Sequence, residues 1–296
     1  MALTYSGVGS PEPPESGGGG SAGDGAGYAA WEARLPELVA AACERYGVEV
    51  GERFDPGAGG FVAPVSDEAV LKVGFPHFEA EREPDALALI DGDGSPRLLA
   101  RADDLSAMLL ERAVPGTQLW ALPEEEATPI AADALERFWR PLADGHPFRP
   151  LAGEAARWTE TLLPKWEAAG RPCGRALVEE AAALARELGD SIEEQALLHQ
   201  DFQGSNVLRS ARGWLVVDPK PLAGDRAFDL ASLLRDRRWE LTEAIVRRRF
   251  DFLTERLGLD RARSRGWGIV HALAWGMDGE HPDHLAVAGW LAALDP

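Results

Sequence analysis

The chain has 296 residues, and its 49 acidic side chains against 30 basic ones leave a formal net charge of −19. A field of that sign repels nucleic acid, whose binding draws on Lys and Arg at the phosphates, and it favours cationic ligands. With 45% hydrophobic and 27% charged residues, the composition is that of a globular chain with a real core, one large or two medium domains long.

Residues 1–27 form a Gly/Ser/Pro-rich stretch with neither a basic start nor an apolar run, so a disordered tail is expected there and not a secretory signal. Order is expected to begin with a helix, because Tyr28, Trp31, Leu35, Leu38, Val39 and Ala42 recur at three- and four-residue spacing. From Val48 to about Glu111 the pattern shortens to strands, at 48–54, 61–65, 69–73, 96–102 and 106–112. One helix, from about His77 to Ile90, interrupts them and stops at an Asp-Gly-Asp-Gly turn. Beyond Val-Pro-Gly at 114–116, Ala-, Leu- and Trp-bearing helical segments dominate: 127–142, 152–169, 174–189, 226–236, 240–257 and 260–277. Short strands are expected near 196–200 and at 213–218. A strand-rich part, 28–114, joined to a helix-rich part, 115–296, is an α+β, two-lobed plan.

Cys43 and Cys173 stand far apart with no metal-binding spacing, so reduced thiols in a cytoplasm are the expectation. No apolar stretch approaches the roughly 18 residues of a membrane helix, and no membrane partner is expected. The oligomeric state leaves no mark in the sequence.

The segment richest in chemistry is LLHQDFQGSNVL at 197–208, followed by WLVVDPKP at 214–221. Phosphoryl transfer from a magnesium nucleotide needs a carboxylate to take the proton of the attacking hydroxyl, and hard oxygen ligands for the metal. The spacing HxDxxxxN supplies Asp201 as that base and Asn206 as one ligand, and Asp218 after an apolar strand supplies the other. The partner expected in the first part is a lysine on the third strand that meets the nucleotide phosphates. Lys72 in AVLKV fits: its apolar flanks would make an unpaired ammonium costly, so an anion must face it. Of Glu79, Glu81 and Glu83, Glu83 is the expected partner, since it falls one turn before Leu87. Gly57, Gly59 and Gly60, between the first two strands, are candidates for a phosphate cradle or simply a hairpin turn.

These motifs, with REPDAL at 82–87, LLER and PG within 109–116, GDxxxFDL at 224–230 and VRRRFDxLTE at 246–255, resemble the aminoglycoside and hydroxyurea phosphotransferase family, in its streptomycin 6-kinase branch. The resemblance runs from about 30 to 280 and implies a fold similar to protein kinases, with ATP and Mg2+ between the lobes. It implies that Lys72 and Glu83 serve the nucleotide phosphates, that Glu111 and Ala113 meet adenine through main-chain groups, and that Asn206 and Asp218 hold magnesium. It further implies that Asp229 braces the catalytic loop and that His199 supports it. The loop departs from the family where Phe202 and Gln203 replace a common Leu and a frequent His, and Gln203 is expected on the substrate side.

Acceptor recognition is expected in the segment 271–284, where Trp275 and Asp278 lie one turn apart, suited to stacking on and pairing with a guanidinium or amine. Glu280 and Asp283 are expected to be solvated. The reading is an ATP-dependent O-phosphotransferase that moves the γ-phosphoryl group to a hydroxyl of a small cationic natural product, an aminoglycoside such as streptomycin. The alternatives are a kinase for another metabolite, a hydroxyurea-like compound or a sugar, and a non-catalytic pseudokinase. The last is disfavoured by the presence of Lys72, Asp201, Asn206 and Asp218 together.

Overall fold

A computed structural model describes residues 22–54, 60–277 and 281–295. Helix α1, Ala22–Tyr46, takes in the last six residues of the stretch that composition assigns to the tail. Strands β1, Gly60–Pro64, and β2, Ala69–Gly74, form a hairpin whose turn is closed by Ser66, its hydroxyl accepting the N–H groups of Glu68 and Ala69. Strands β3, Leu98–Ala102, and β4, Ala107–Glu111, complete an antiparallel sheet in the order β1-β2-β4-β3. The period-2 alternation of β2 decides where its lysine points. Leu71 and Val73 pack with Trp31, Leu35 and Ala42 of α1 on one face. Val70, and with it Lys72, faces the other way, where Val70 meets Leu87, Met108 and Leu110.

Two expectations for this lobe need correction. Residues 48–54 do not join the sheet as a strand: their main chain meets β1 through Gly51 N–H to Pro64 C=O and Phe54 N–H to Val62 C=O, and the Arg53 guanidinium adds a bond to Gly60 C=O. Pro64 has no N–H to return, so the ladder cannot close. Lys72 consequently stands on the second strand of this sheet and not the third. The helix expected from His77 is α2, Glu83–Ile90 alone. Pro84 occupies its first turn, where a missing N–H costs nothing, whereas one turn deeper its ring would clash with the carbonyl four residues back.

The second lobe is built on α3, Glu124–Phe138, whose opening run of three glutamates suits the positive end of a helix. Strand β5, Arg149–Pro150, leads into α4, Leu151–Ala168, and α5, Arg175–Asp190. Then come the short strands β6, Ala196–Leu198, β7, Val207–Ser210, β8, Gly213–Val216, and β9, Leu222–Gly224. Among the described residues, β5, β9 and β6 form one small sheet and β7-β8 a hairpin. The helix expected at 226–236 is a 3-10 turn, Arg226–Asp229, followed by α6, Leu230–Leu234. Helices α7, Glu243–Leu257, and α8, Arg261–Gly276, fall within a few residues of expectation. A further helix, α9, Pro282–Ala292, stands where no element was expected.

Helix α8 is the axis of this lobe. Its glycines admit neighbours to close range, since a Cβ at Gly266 would lie 2.8 Å from Leu188 of α5 and one at Gly268 2.7 Å from Leu291 of α9. Among the described residues no helix is long and apolar enough to cross a membrane. The core side chain Phe250 on α7 is fully buried. Phe250→Ala is expected to lower stability by about 3–5 kcal/mol in urea unfolding, through lost transfer energy and a residual cavity.

Candidate active site

The two lobes enclose a cleft of about 620 Å³, lined by Val62, Val70 and Lys72 from the sheet and by Asn206, Leu208 and Asp218 from below. The connector from Glu111 to Gly116 forms its back wall. Gly60 lies on its rim, while Gly57 and Gly59 fall outside the described residues.

Lys72 is only 9% exposed, and an ammonium so placed requires counter-charge. Its Nζ lies 2.6 and 2.7 Å from the two oxygens of Glu83, the first residue of α2, and 2.6 Å from Asp218 Oδ1. Lys220, two residues beyond, sits 3.0 Å from Asp218 Oδ2. Burial opposes the charge on Lys72, but Asp218 and Glu83 outweigh it and hold the ammonium above its ordinary range. Desolvation likewise opposes ionisation of Asp218, and Lys220 with Lys72 reverses the balance, keeping the carboxyl well below the usual range. Burial pushes Glu83 upward against the pull of Lys72.

Asp201 lies in the loop between β6 and β7, flanked by the fully buried His199 and Phe202. Asp229 holds this loop from beneath, accepting the N–H groups of His199 and Gln200 at 2.8 Å each and the indole N–H of Trp139 at 2.9 Å. Burial nevertheless raises Asp229 to about 6. His199 donates from Nε2 to Val217 C=O at 3.0 Å, which ties the loop to the residue before Asp218. Burial lowers this imidazole to about 4, so it is neutral at pH 7. Asn206 donates its amide to Asp201 C=O at 2.9 Å, which leaves its oxygen for another partner. Gln203 donates to Asp201 Oδ1 at 2.7 Å, so its amide acts on this carboxylate. Asp218 itself has φ +58°, a left-handed conformation that Asp tolerates better than most residues.

The expected site residues Lys72, Glu83, Asp201, Gln203, Asn206, Asp218, His199 and Asp229 therefore form one constellation. Glu111 and Ala113 line the back wall, the Glu111 carboxylate being occupied by Arg212 at 2.6 and 2.7 Å and turned to support the connector. Trp275 is a correction. It is 8% exposed, stacked on His271 at 4.0 Å between centroids, with the edge of Trp158 at 5.7 Å, so it offers no free face to a ligand. Close packing through the glycines of α8 puts it in the core. Asp278 and Glu280 lie outside the described residues.

Three participants escaped sequence reasoning. Trp139 supports Asp229, and Gln200, with φ +68°, donates across the lobes to Glu79 at 2.9 Å. Neither carries a sequence signal. Lys220 did carry one, its place two residues after Asp218.

A sheet lobe bearing a lysine–glutamate pair, set over a helical lobe bearing an Asp201–Asn206 loop, defines the protein-kinase-like fold. A solved streptomycin–ATP complex of an aminoglycoside phosphotransferase shares it, with TM-score 0.57 and 13% identity over 88% of this chain and 96% of that one. The chain belongs to the aminoglycoside/hydroxyurea antibiotic resistance kinase family, whose profile matches residues 58–278. It is 35% identical to a streptomycin 6-kinase of Streptomyces griseus over 89% of this chain and 91% of that one. It is 37% identical to a hydroxyurea phosphotransferase of Kitasatospora aureofaciens over 83% of this chain and 74% of the relative. The protein is a small-molecule kinase.

His199 in the loop and Asp229 beneath it, both buried, pull stability in opposite directions. His199, depressed from 6.5 to about 4, contributes stability that is complete above pH 6.5 and lost as pH falls through 4. Asp229, raised from 3.8 to about 6, contributes stability at low pH that is lost as pH rises through 6. Each is worth about 3 kcal/mol across its window, and in the wild type they offset. His199→Asn is expected to tilt the stability difference from wild type toward acid, and Asp229→Asn toward neutral pH. Urea unfolding at pH 4 to 7 measures both slopes, and equal slopes in the two variants would contradict the assignment.

Proposed function

We propose that the protein transfers the γ-phosphoryl group of ATP to a hydroxyl of a small cationic natural product, an aminoglycoside such as streptomycin. The observation that carries this reading is the ion cluster itself: Lys72, held by Glu83 from the sheet lobe, meets Asp218 from the helical lobe at 2.6 Å, beside the loop of Asp201. Phosphoryl transfer needs positioning and charge stabilisation more than covalent chemistry, and this arrangement supplies both.

In this reading the carbonyl of Glu111 and the N–H of Ala113 meet the adenine ring on the connector, and Lys72 meets the α and β phosphates. Asp201 accepts the proton of the acceptor hydroxyl, with Gln203 fixing Oδ1 so that the other oxygen faces the acceptor. Asn206 Oδ1 and the Asp218 carboxylate are the residues that would hold a magnesium ion. The donor set fits: it is all oxygen, and among the described residues no cluster of three His, Cys, Asp or Glu side chains forms a protein cage. A hard cation that keeps water and phosphate oxygens is suited by such a partial shell, and when bound it neutralises phosphate charge. His199, neutral and tied to Val217, supports the loop and carries no proton in the reaction.

The net charge of −19 supports a cationic acceptor. The likeness to a hydroxyurea phosphotransferase, similar in identity to that with a streptomycin 6-kinase though over less of each chain, supports hydroxyurea as the second reading.

Incubation with magnesium, ATP and a panel of aminoglycosides, hydroxyurea and sugars, followed by ADP release and product mass, decides between them. Phosphorylated streptomycin is the expected product, and turnover of hydroxyurea alone would replace the first reading with the second. Asp201→Asn is expected to lower turnover by roughly 10²–10⁴ while ATP still binds, and unaltered turnover would show that another group takes the proton.

A further inference from the structure

Lys220 has no part in the scheme above, although it stands in the middle of the ion cluster. It shares the Asp218 carboxylate with Lys72, taking Oδ2 at 3.0 Å where Lys72 takes Oδ1 at 2.6 Å. The two ammoniums are held differently. Lys72 is drawn back to the sheet lobe by both oxygens of Glu83. Lys220 has Asp218 as its one ion-pair partner among the described residues, and its side chain keeps 22% of its surface open.

Lys220 is one of two counter-ions on Asp218, each taking a different carboxylate oxygen, and the open part of its side chain can meet a ligand as well.

The main chain of Lys220 is tied to the loop that carries Asp201. The carbonyl of His199 accepts two N–H groups, that of Asp201 at 2.9 Å and that of Lys220 at 3.0 Å. One oxygen thus anchors the main chains of Asp201 and Lys220 together, so the proposed base and this lysine start from neighbouring backbone positions.

We propose that Lys220 is a catalytic residue whose ammonium binds the non-bridging oxygens of the γ-phosphoryl group during its transfer. The proposal rests on the phosphotransferase reading of the cleft. In the step it serves, the acceptor oxygen forms a bond to the γ-phosphorus, and the bond from that phosphorus to the β–γ bridging oxygen breaks. ADP departs and the acceptor proton passes to Asp201. Charge spreads over the three equatorial oxygens, and an ammonium already fixed beside them lowers the barrier without reorganisation. The two lysines then divide the nucleotide, Lys72 serving the α and β phosphates and Lys220 the group that leaves.

Such a contact has a binding signature that a structural lysine lacks. Lys220→Met keeps most of the side-chain length and removes the charge. Calorimetric titration with a non-hydrolysable ATP analogue and with ADP, each with magnesium, compares ligands that differ in the γ-phosphoryl group alone. Affinity for the analogue is expected to fall about ten-fold while affinity for ADP is unchanged, the value of one charge-assisted hydrogen bond. Turnover with streptomycin is expected to fall roughly 10²–10³. Lys220→Arg, which keeps the charge, is expected to recover most of the affinity for the analogue and serves should Lys220→Met fold poorly. Equal losses for both nucleotides, no loss for either, or an Arg variant as weak as a folded Met variant would each overturn the assignment. A wild-type protein that bound neither nucleotide would overturn the phosphotransferase reading with it.

Discussion

The structure depends on one charge placed where it is expensive. Lys72 points from the middle of β2 into the space between the lobes, and its ammonium is almost entirely withdrawn from water. No single carboxylate holds it: Glu83 comes from α2 of the same lobe and Asp218 from beyond β8 of the other. Breaking a buried pair of this kind leaves a desolvated charge, which costs far more than the intact pair gains. The lobes are therefore held in register by electrostatic necessity at the point where the nucleotide phosphates are proposed to lie.

Beneath this bridge the helical lobe concentrates its polar groups on a single loop. Asp229 accepts three N–H donors, two of them consecutive main-chain groups of His199 and Gln200, which fixes the loop before any ligand arrives. The cost of burying Asp229 is visible in its raised pKa, about 6, which those three bonds offset only in part. Gln200 then reaches Glu79 across the cleft, a second tie between the lobes close to the start of α2. Preorganisation of this kind is what a reaction governed by positioning requires.

Much of this was legible before any coordinates. Asp201, Asn206 and Asp218 follow from a motif whose spacing reflects one short loop and one hairpin, so local sequence carries local geometry. Glu83 could be chosen over Glu79 and Glu81 because helical spacing sets it on the side of Leu87, and both are buried in α2. Trp275 shows where the reading of a single segment stops. Helical periodicity tells which residues share a face but not which neighbours cover it, and α8 is covered on nearly every side by α5, α6 and α9. Helix α9 escaped notice because its charged and His-bearing start, next to a Gly-rich turn, reads as loop.

The amino-acid sequence by itself determined the order of the two lobes, the identity of the chemical groups and the sign of the field around them. These are written in residue type, spacing and composition, which need no long-range contact to be read. Beyond the Lys72–Glu83 pair, only the tertiary structure decided which of the charges meet. The joint anchoring of Asp201 and Lys220 on one carbonyl, the two ammoniums on Asp218 and the burial of Trp275 all depend on segments separated by many residues. Such proximities arise when apolar faces are buried together, and the pattern of a single segment does not contain them.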